Sequence, residues 1–213
     1  ASYKSSNQGV AIDLGGFFAK GGHAAGDHLY SIEGVIGSAY HDVLDGSDQR
    51  NVFRGEGGDD LLLGYGGDDL LEGGAGNDEL DGGIAADELR GGTGRDLAYY
   101  GLSDAAVRID LTTGLGSGGY ADGDRLFDIE DVIGSTRGDT LLGNTAANRL
   151  YGYDGADVIS GGGGDDVIAG GEGSDQLDGG AGIDTLDYSQ AITAVSVELA
   201  TGRGEPGADR DSI

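Results

Sequence analysis

Residues 73–81 read Gly73-Gly74-Ala75-Gly76-Asn77-Asp78-Glu79-Leu80-Asp81. Glycines at the first, second and fourth places allow the backbone φ > 0 and a tight turn in which carbonyl oxygens converge. The sixth-place Asp adds a carboxylate to those oxygens. Three residues remain, enough for a very short strand, and its alternation points the eighth place inward and the seventh and ninth outward. The unit is a turn plus a strand. It cannot bury its single apolar residue alone and needs neighbours of its own kind.

Those neighbours are present on both sides. Seven nonads open at Gly37, Gly46, Gly55, Gly64, Gly73, Gly82 and Gly91, and six more at Gly134, Gly143, Gly152, Gly161, Gly170 and Gly179. The sixth place holds Asp42, Asn51, Asp60, Asp69, Asp78, Asp87 and Asp96, then Asp139, Asn148, Asp157, Asp166, Asp175 and Asp184. The eighth is aliphatic or aromatic apart from Ala98: Leu44, Phe53, Leu62, Leu71, Leu80 and Leu89, then Leu141, Leu150, Ile159, Ile168, Leu177 and Leu186. Thirteen units in phase predict an all-β parallel solenoid with a thin aliphatic core.

A second, longer period surrounds the nonads. A shift of 97 residues lays Val10, Ile12 and Leu14 on Val107, Ile109 and Leu111, and Asp27, Leu29, Ile32 and Glu33 on Asp124, Leu126, Ile129 and Glu130. A third copy begins with Tyr188, Val195, Val197 and Leu199. The expected organisation is a connector over 1–36, a roll over 37–99, a connector over 100–133, a roll over 134–187 and a partial connector over 188–213. The whole reads as a segment of a longer tandem array.

Composition narrows the chemistry. The 213 residues include 47 Gly, 1 Pro and no Cys, and 39 acids against 12 bases give a charge of −27. Without cysteine there is neither a disulfide framework nor a zinc–thiolate site. Nucleic acid is an unsuitable partner for so acidic a chain, and no stretch is apolar enough for a helical membrane span. The stacked Asp rows would repel one another, so folding requires something that neutralises them. Oxygen-only ligands in carbonyl-rich turns select a hard cation, and the irregular geometry suits Ca²⁺ better than Mg²⁺.

The nonads resemble the glycine-rich repeats of RTX (haemolysin-type) calcium-binding proteins over 37–99 and 134–187. The resemblance implies a right-handed parallel β-roll, here two rolls in tandem joined by irregular β connectors, in which two nonads complete one coil. It also implies calcium between a nonad and the one two further on. The earlier turn supplies its second- and fourth-place carbonyls with its Asp, and the later turn its first- and third-place carbonyls with its Asp. On that pattern Glu56, Gly58 and Asp60 face Gly73, Ala75 and Asp78. Tyr65, Gly67 and Asp69 face Gly82, Ile84 and Asp87, and Gly74, Gly76 and Asp78 face Gly91, Thr93 and Asp96. In the second array Tyr153, Gly155 and Asp157 face Gly170, Glu172 and Asp175, while Gly162, Gly164 and Asp166 face Gly179, Ala181 and Asp184. Asp78 would serve two ions, one per oxygen. Pairing every nonad with its second neighbour allows about nine sites, and five to eight are expected to fill.

Departures from the pattern grade the sites. The first two nonads of each array lack the fourth-place glycine (Tyr40, Gln49, Arg137, Ala146), and Asn51 and Asn148 replace the Asp. Sites using these nonads, including those of Asp42 and Asp139, should be weak or empty. Ala85 at a fourth place weakens the Asp69/Asp87 site. In the connectors, Asp27 with Glu33 and Asp124 with Glu130 are weaker calcium candidates beside a purely structural reading. His23, His28 and His41 have no zinc-site spacing and read as surface residues. Leu61, Leu63 and Leu70 fall on outward places and read as covered by the preceding connector or as a contact patch.

No nucleophile–base constellation is present, so no enzyme activity is expected from these residues. The resemblance implies a calcium-responsive module of a larger secreted bacterial protein, exported unfolded by a type I system, with calcium and the rest of the parent chain as partners. The alternative is an adhesin or a carbohydrate-binding accessory module, with a cell-surface or glycan ligand.

Overall fold

The computed structural model describes residues 1–189; the expected third connector, apart from Tyr188 and Ser189, lies outside them. Strands and turns make up nearly all the regular structure, and two one-turn 3₁₀ segments, Gly22–Ala24 and Gly119–Ala121, are the only helical pieces among the described residues. The chain divides into two compact units. The first comprises 1–99 with 120–129, and the second 100–119 with the residues from 130 on. The connector between the arrays is therefore shared between the units.

In the first unit, Ala11–Asp13, Val43–Ser47, Leu61–Tyr65, Glu79–Asp81 and Leu97–Tyr99 form one parallel sheet, with Phe18–Lys20 antiparallel on its edge. The opposite parallel sheet runs Gly34–Ile36, Val52–Gly57, Leu70–Ala75, Glu88–Thr93 and Arg125–Phe127. The register explains the alternation of nonads between the sheets: Leu44 lies beside Leu62 and Leu62 beside Leu80, while Phe53 lies beside Leu71 and Leu71 beside Leu89. Each partner is 18 residues away, so two nonads complete one coil, and stacked coils form a β-solenoid.

The second unit repeats the plan. Asp131–Ile133, Arg149–Tyr151, Val167–Ala169 and Thr185–Leu186 form one parallel sheet. Arg108–Asp110, Thr140–Leu142, Val158–Ser160 and Gln176–Asp178 form the other, with Leu115–Ser117 antiparallel to Arg108–Asp110.

The core is the eighth-place column. Leu44, Phe53, Leu62, Leu71, Leu80, Leu89 and Ala98 have no exposed surface, nor do Leu141 and Leu150. Burial loosens only towards the end of the second array, where Leu177 is still buried and Leu186 half-buried. The connector strands extend the same columns, with Val10, Ile12, Val107 and Ile109 buried.

Five strands outgrow the expected three residues. Val52–Gly57, Leu70–Ala75 and Glu88–Thr93 run on into the glycine turn, because turn residues of successive coils also pair, Glu56 with Gly74 and Gly74 with Gly92. Leu61, Leu63 and Leu70 are half-buried between strand neighbours. Asp81, at an outward ninth place, is nevertheless buried and accepts a backbone N–H from Gly83.

Candidate metal centre

Every sixth-place residue is placed by its coil neighbours. The backbone N–H of Asp60 donates to Asp78 Oδ1 at 2.8 Å, that of Asp69 to Asp87 Oδ1 at 2.8 Å, and that of Asp78 to Asp96 Oδ1 at 2.8 Å. In the second array Asp157 donates to Asp175 Oδ1 and Asp166 to Asp184 Oδ1, both at 3.0 Å. The carboxylates form ladders in which one oxygen locks the winding 18 residues earlier.

The other oxygen has a different fate. Oδ2 of Asp60, Asp69, Asp78, Asp87 and Asp157 is buried and accepts no hydrogen bond. These side chains are 1–3% exposed. A buried acceptor without a donor costs about 1–3 kcal/mol, and more when charged. Burial accordingly raises the carboxyl pKa values from 3.8, to about 7 for Asp60 and Asp69 and to about 6 for Asp87 and Asp157, with Asp78 also raised. The ladder N–H opposes the shift and neighbouring carboxylates add to it, Asp78 and Asp42 in the case of Asp60.

Carbonyls converge on these oxygens. A methyl group on Gly55 would collide with both Asp60 Oδ2 and Gly73 O. The same coincidence joins Asp69 Oδ2 with Gly82 O at Gly64, Asp157 Oδ2 with Gly170 O at Gly152, and Asp166 Oδ2 with Gly179 O at Gly161. In each case an earlier-turn carboxylate meets the first-place carbonyl of the nonad two further on.

The second and fourth places supply the turn geometry. Glu56, Tyr65, Gly74, Tyr153 and Gly162 have φ between 71° and 115°, and Gly58, Gly67, Gly76, Gly155 and Gly164 between 94° and 144°. Glu56, Tyr65 and Tyr153 thus hold a left-handed conformation that costs a non-glycine residue energy. Their side chains lie outward, Glu56 paired with Lys4 Nζ at 2.6 Å and both tyrosines half exposed, so only their backbones face the turns. Several other ligand carbonyls take part in the turn ladder: Tyr65, Tyr153 and Gly162 accept N–H groups from Ile84, Glu172 and Ala181, and Ala75, Thr93 and Ala181 accept from Gly58, Gly76 and Gly164. A carbonyl has two lone pairs, so such a bond leaves one for a cation.

Sequence reasoning missed how the first two nonads of each array are closed. Ser38 and Ser135 are not left-handed, and their N–H groups point at the carboxylates. Asp42 Oδ2 accepts Ser38 N–H at 2.5 Å, and its Oδ1 accepts Ser38 Oγ at 2.9 Å and Val10 N–H at 2.7 Å. Asp139 repeats this with Ser135 N–H, Ser135 Oγ and Val107 N–H at 2.5, 2.8 and 2.8 Å. Asn51 Oδ1 accepts Ser47 N–H and Asn148 Oδ1 accepts Asn144 N–H, at 2.8 and 2.9 Å. Their amide groups reach the carbonyls of Glu33 and Glu130 at 3.5 and 2.8 Å. The signal available in sequence was Ser or Asn at the second place of these four nonads.

The connector candidates separate. Asp27 is exposed and accepts the Tyr3 hydroxyl at 3.0 Å, and Glu33 is exposed. Asp124 is buried and joins the Asp ladder, its Oδ1 accepting Asp87 N–H at 2.8 Å. The three histidines are exposed. No group of three His, Cys, Asp or Glu side chains suited to a metal occurs among the described residues. Each pair of turns brings together only two carboxylates, so a cation here depends on main-chain oxygens. Buried, undonated carboxylate oxygens beside converging carbonyls fit Ca²⁺, which takes 6–8 oxygen ligands in flexible geometry. When bound, it would supply the positive charge that favours the ionised form of these carboxyls.

No curated protein matches the chain. The family model for the RTX calcium-binding nonapeptide repeat matches in four copies, over residues 36–71, 63–98, 133–168 and 153–186. Matched residues make up more than half of the chain and contain all five unsatisfied carboxylates described above, so the chain belongs to the RTX calcium-binding nonapeptide repeat family and binds several calcium ions.

Proposed function

We propose that this chain is a non-catalytic folding module of a larger secreted bacterial protein, a chain that leaves the cell unfolded and coils when it meets calcium outside. The observation that carries this reading is the row of buried Oδ2 atoms without donors. Without cations the coil must hold these groups either protonated or charged in a medium that solvates them poorly, and both raise its free energy. Ions that bind the coil and not the unfolded chain transfer their binding energy to folding. Weak sites stay empty at cytosolic calcium and fill at the millimolar concentrations outside cells, where Kd values of about 10⁻⁴–10⁻³ M suffice. Residues 37–99 and 134–187 would act as two calcium-loaded rolls, with 100–133 as the connector.

Five bridging sites follow from the family pattern, pairing Asp60 with Asp78, Asp69 with Asp87, Asp78 with Asp96, Asp157 with Asp175, and Asp166 with Asp184. Far-UV circular dichroism tests the reading: a disordered spectrum in chelator and a cooperative gain of β signal on adding Ca²⁺ are expected. Identical spectra in the two conditions would refute it.

An adhesin or glycan-binding role has one observation in its favour. Phe17 and Tyr30 are exposed and stacked, with ring centroids 5.9 Å apart, and Phe18 is partly exposed beside them. Binding on a glycan array in Ca²⁺, lost in Tyr30→Ala, would support that role; silence on the array leaves the folding role alone.

A further inference from the structure

The family's pairing rule leaves the last two nonads of the first array without a later partner, since the nonads that would follow are replaced by the connector. Gly82–Arg90 should then end the row with Asp87 serving only the site it shares with Asp69. The surroundings of Asp87 contradict that ending.

Asp124 stands where the missing nonad would put its sixth place. Arg125–Phe127 continues the sheet in parallel register on Glu88–Arg90, with Leu126 beside Leu89, and Arg125 N–H donates to Asp87 O at 2.8 Å. Asp124 Oδ1 accepts Asp87 N–H at 2.8 Å, the same bond that Asp78 makes with Asp60 and Asp87 with Asp69. Asp124 is only 1% exposed.

On the other side of the pair, Asp87 is 2% exposed and its Oδ2 has no hydrogen-bond donor. Its turn has the open form, with φ of 87° at Gly83 and 102° at Ala85. It is not closed as Asp42 and Asp139 are, by a serine at the second place.

The connector also continues the carbonyl row. In the neighbouring nonad, a methyl on Gly91 would collide with Asp96 Oδ2 and with Asp128 O, so the connector presents a carbonyl to Asp96, next to the pair of Asp87 and Asp124 rather than within it. Asp128 reaches that position with a left-handed backbone, φ 52°.

We infer that the connector completes a further calcium site, in which the Asp124 carboxylate closes the turn of Asp87 as a later nonad would. The nine-residue pattern cannot register this site, because 37 residues separate the two carboxylates instead of 18. The same place in the first connector is Asp27, which is exposed rather than buried, so it forms no equivalent site. Residues 120–129 of the connector are thereby an integral coil of the first unit, and calcium ties them to the array.

This inference rests on the calcium-binding reading of the repeats, and one experiment separates the two. Ions are counted by native mass spectrometry on the full chain at saturating Ca²⁺ for wild type, Asp124→Asn and Asp27→Asn. Asparagine occupies the same ladder place at Asn51 and Asn148, so Asp124→Asn keeps the acceptor for Asp87 N–H and the winding. Asp124→Asn is expected to hold one ion fewer than wild type and Asp27→Asn the wild-type number, with unchanged circular dichroism in both. An Asp124→Asn protein that keeps the full complement overturns the connector site while leaving the repeat sites intact. A wild type that holds no calcium overturns the calcium reading itself. Should Asp124→Asn fold poorly, Asp124→Ser, which also keeps an oxygen at the ladder place and removes the carboxylate, is counted instead: one ion fewer supports the site and the full complement overturns it.

Discussion

Residues 37–54 and residues 55–99 wind on the same 18-residue repeat, bury the same column of apolar side chains and carry an acceptor at the same sixth place. They differ in one peptide per turn. In the first stretch, Ser38 and Ser47 present their N–H groups to Asp42 and Asn51, and the acceptor is satisfied by protein. In the second, left-handed residues at the second place leave Oδ2 of Asp60, Asp69, Asp78 and Asp87 without a donor. The second array makes the same division between 134–151 and the nonads that follow. One repeat thus has a closed form that carries its own donor and an open form that requires a cation. Closed coils adjoin the preceding connector strands through Val10 and Val107, whose N–H groups donate to Asp42 and Asp139. Each array therefore begins with coils whose sixth-place acceptors are satisfied without metal.

The largest expected consequence concerns ion removal. Hydrogen exchange in chelator should leave the open nonads, 55–99 and 152–187, far less protected than in Ca²⁺, while 37–54 and 134–151 change least. Uniform loss over all thirteen nonads would mean that the closed coils have no stability of their own. Next in size, Asp78→Ala removes the acceptor for Asp60 N–H and a carboxylate that the family pattern places in two sites. It should lose about two ions in a calcium titration together with the cooperativity of the first unit, and the stranded N–H alone costs about 1–3 kcal/mol.

Opening a closed coil tests the comparison directly. Ser38→Gly with Tyr40→Gly allows left-handed geometry at both turn places and removes the Ser38 hydroxyl bond to Asp42. One extra bound ion is expected by native mass spectrometry; an unchanged count would show that peptide orientation does not separate the two forms.

Protons and calcium should act in opposite directions on the open coils. Burial raises Asp60 and Asp69 from 3.8 to about 7. Between these values the ion-free coil holds more protons than the unfolded chain, so its stability falls as pH rises through the window. Ion-free protein should hold more residual β structure by circular dichroism at pH 5 than at pH 8. With calcium present the affinity should instead weaken towards pH 5, because protons compete for the same oxygens. The smallest effect is at Ala85, whose φ of 102° strains a residue with a Cβ. Ala85→Gly should stabilise the calcium-loaded form by about 1 kcal/mol, visible as a small rise in melting temperature.

The coil and its core were legible in sequence because they depend on spacing. The apolar eighth places of each array fall in two facing columns whenever two nonads make a winding, and polar seventh and ninth places such as Glu79 and Arg90 follow from strand alternation. The weakness of the first two nonads was legible from Tyr40, Gln49 and Asn51, but its mechanism was not. A missing glycine says that a turn cannot open; it does not say that Ser38 will donate both its N–H and its hydroxyl to Asp42. Asp81 escaped for a related reason: an outward place in the pattern became a buried one through a backbone bond from Gly83.

Sequence alone determined the repeat, the hard-oxygen chemistry and the calcium-binding family, since each rests on residue types at short fixed intervals that any winding must respect. Tertiary structure decided which carboxylates are left without donors and that Asp124 stands over Asp87 across 37 residues. The physical reason is range: glycine placement sets a turn locally, whereas the state of a buried oxygen depends on which peptide the next coil lays against it.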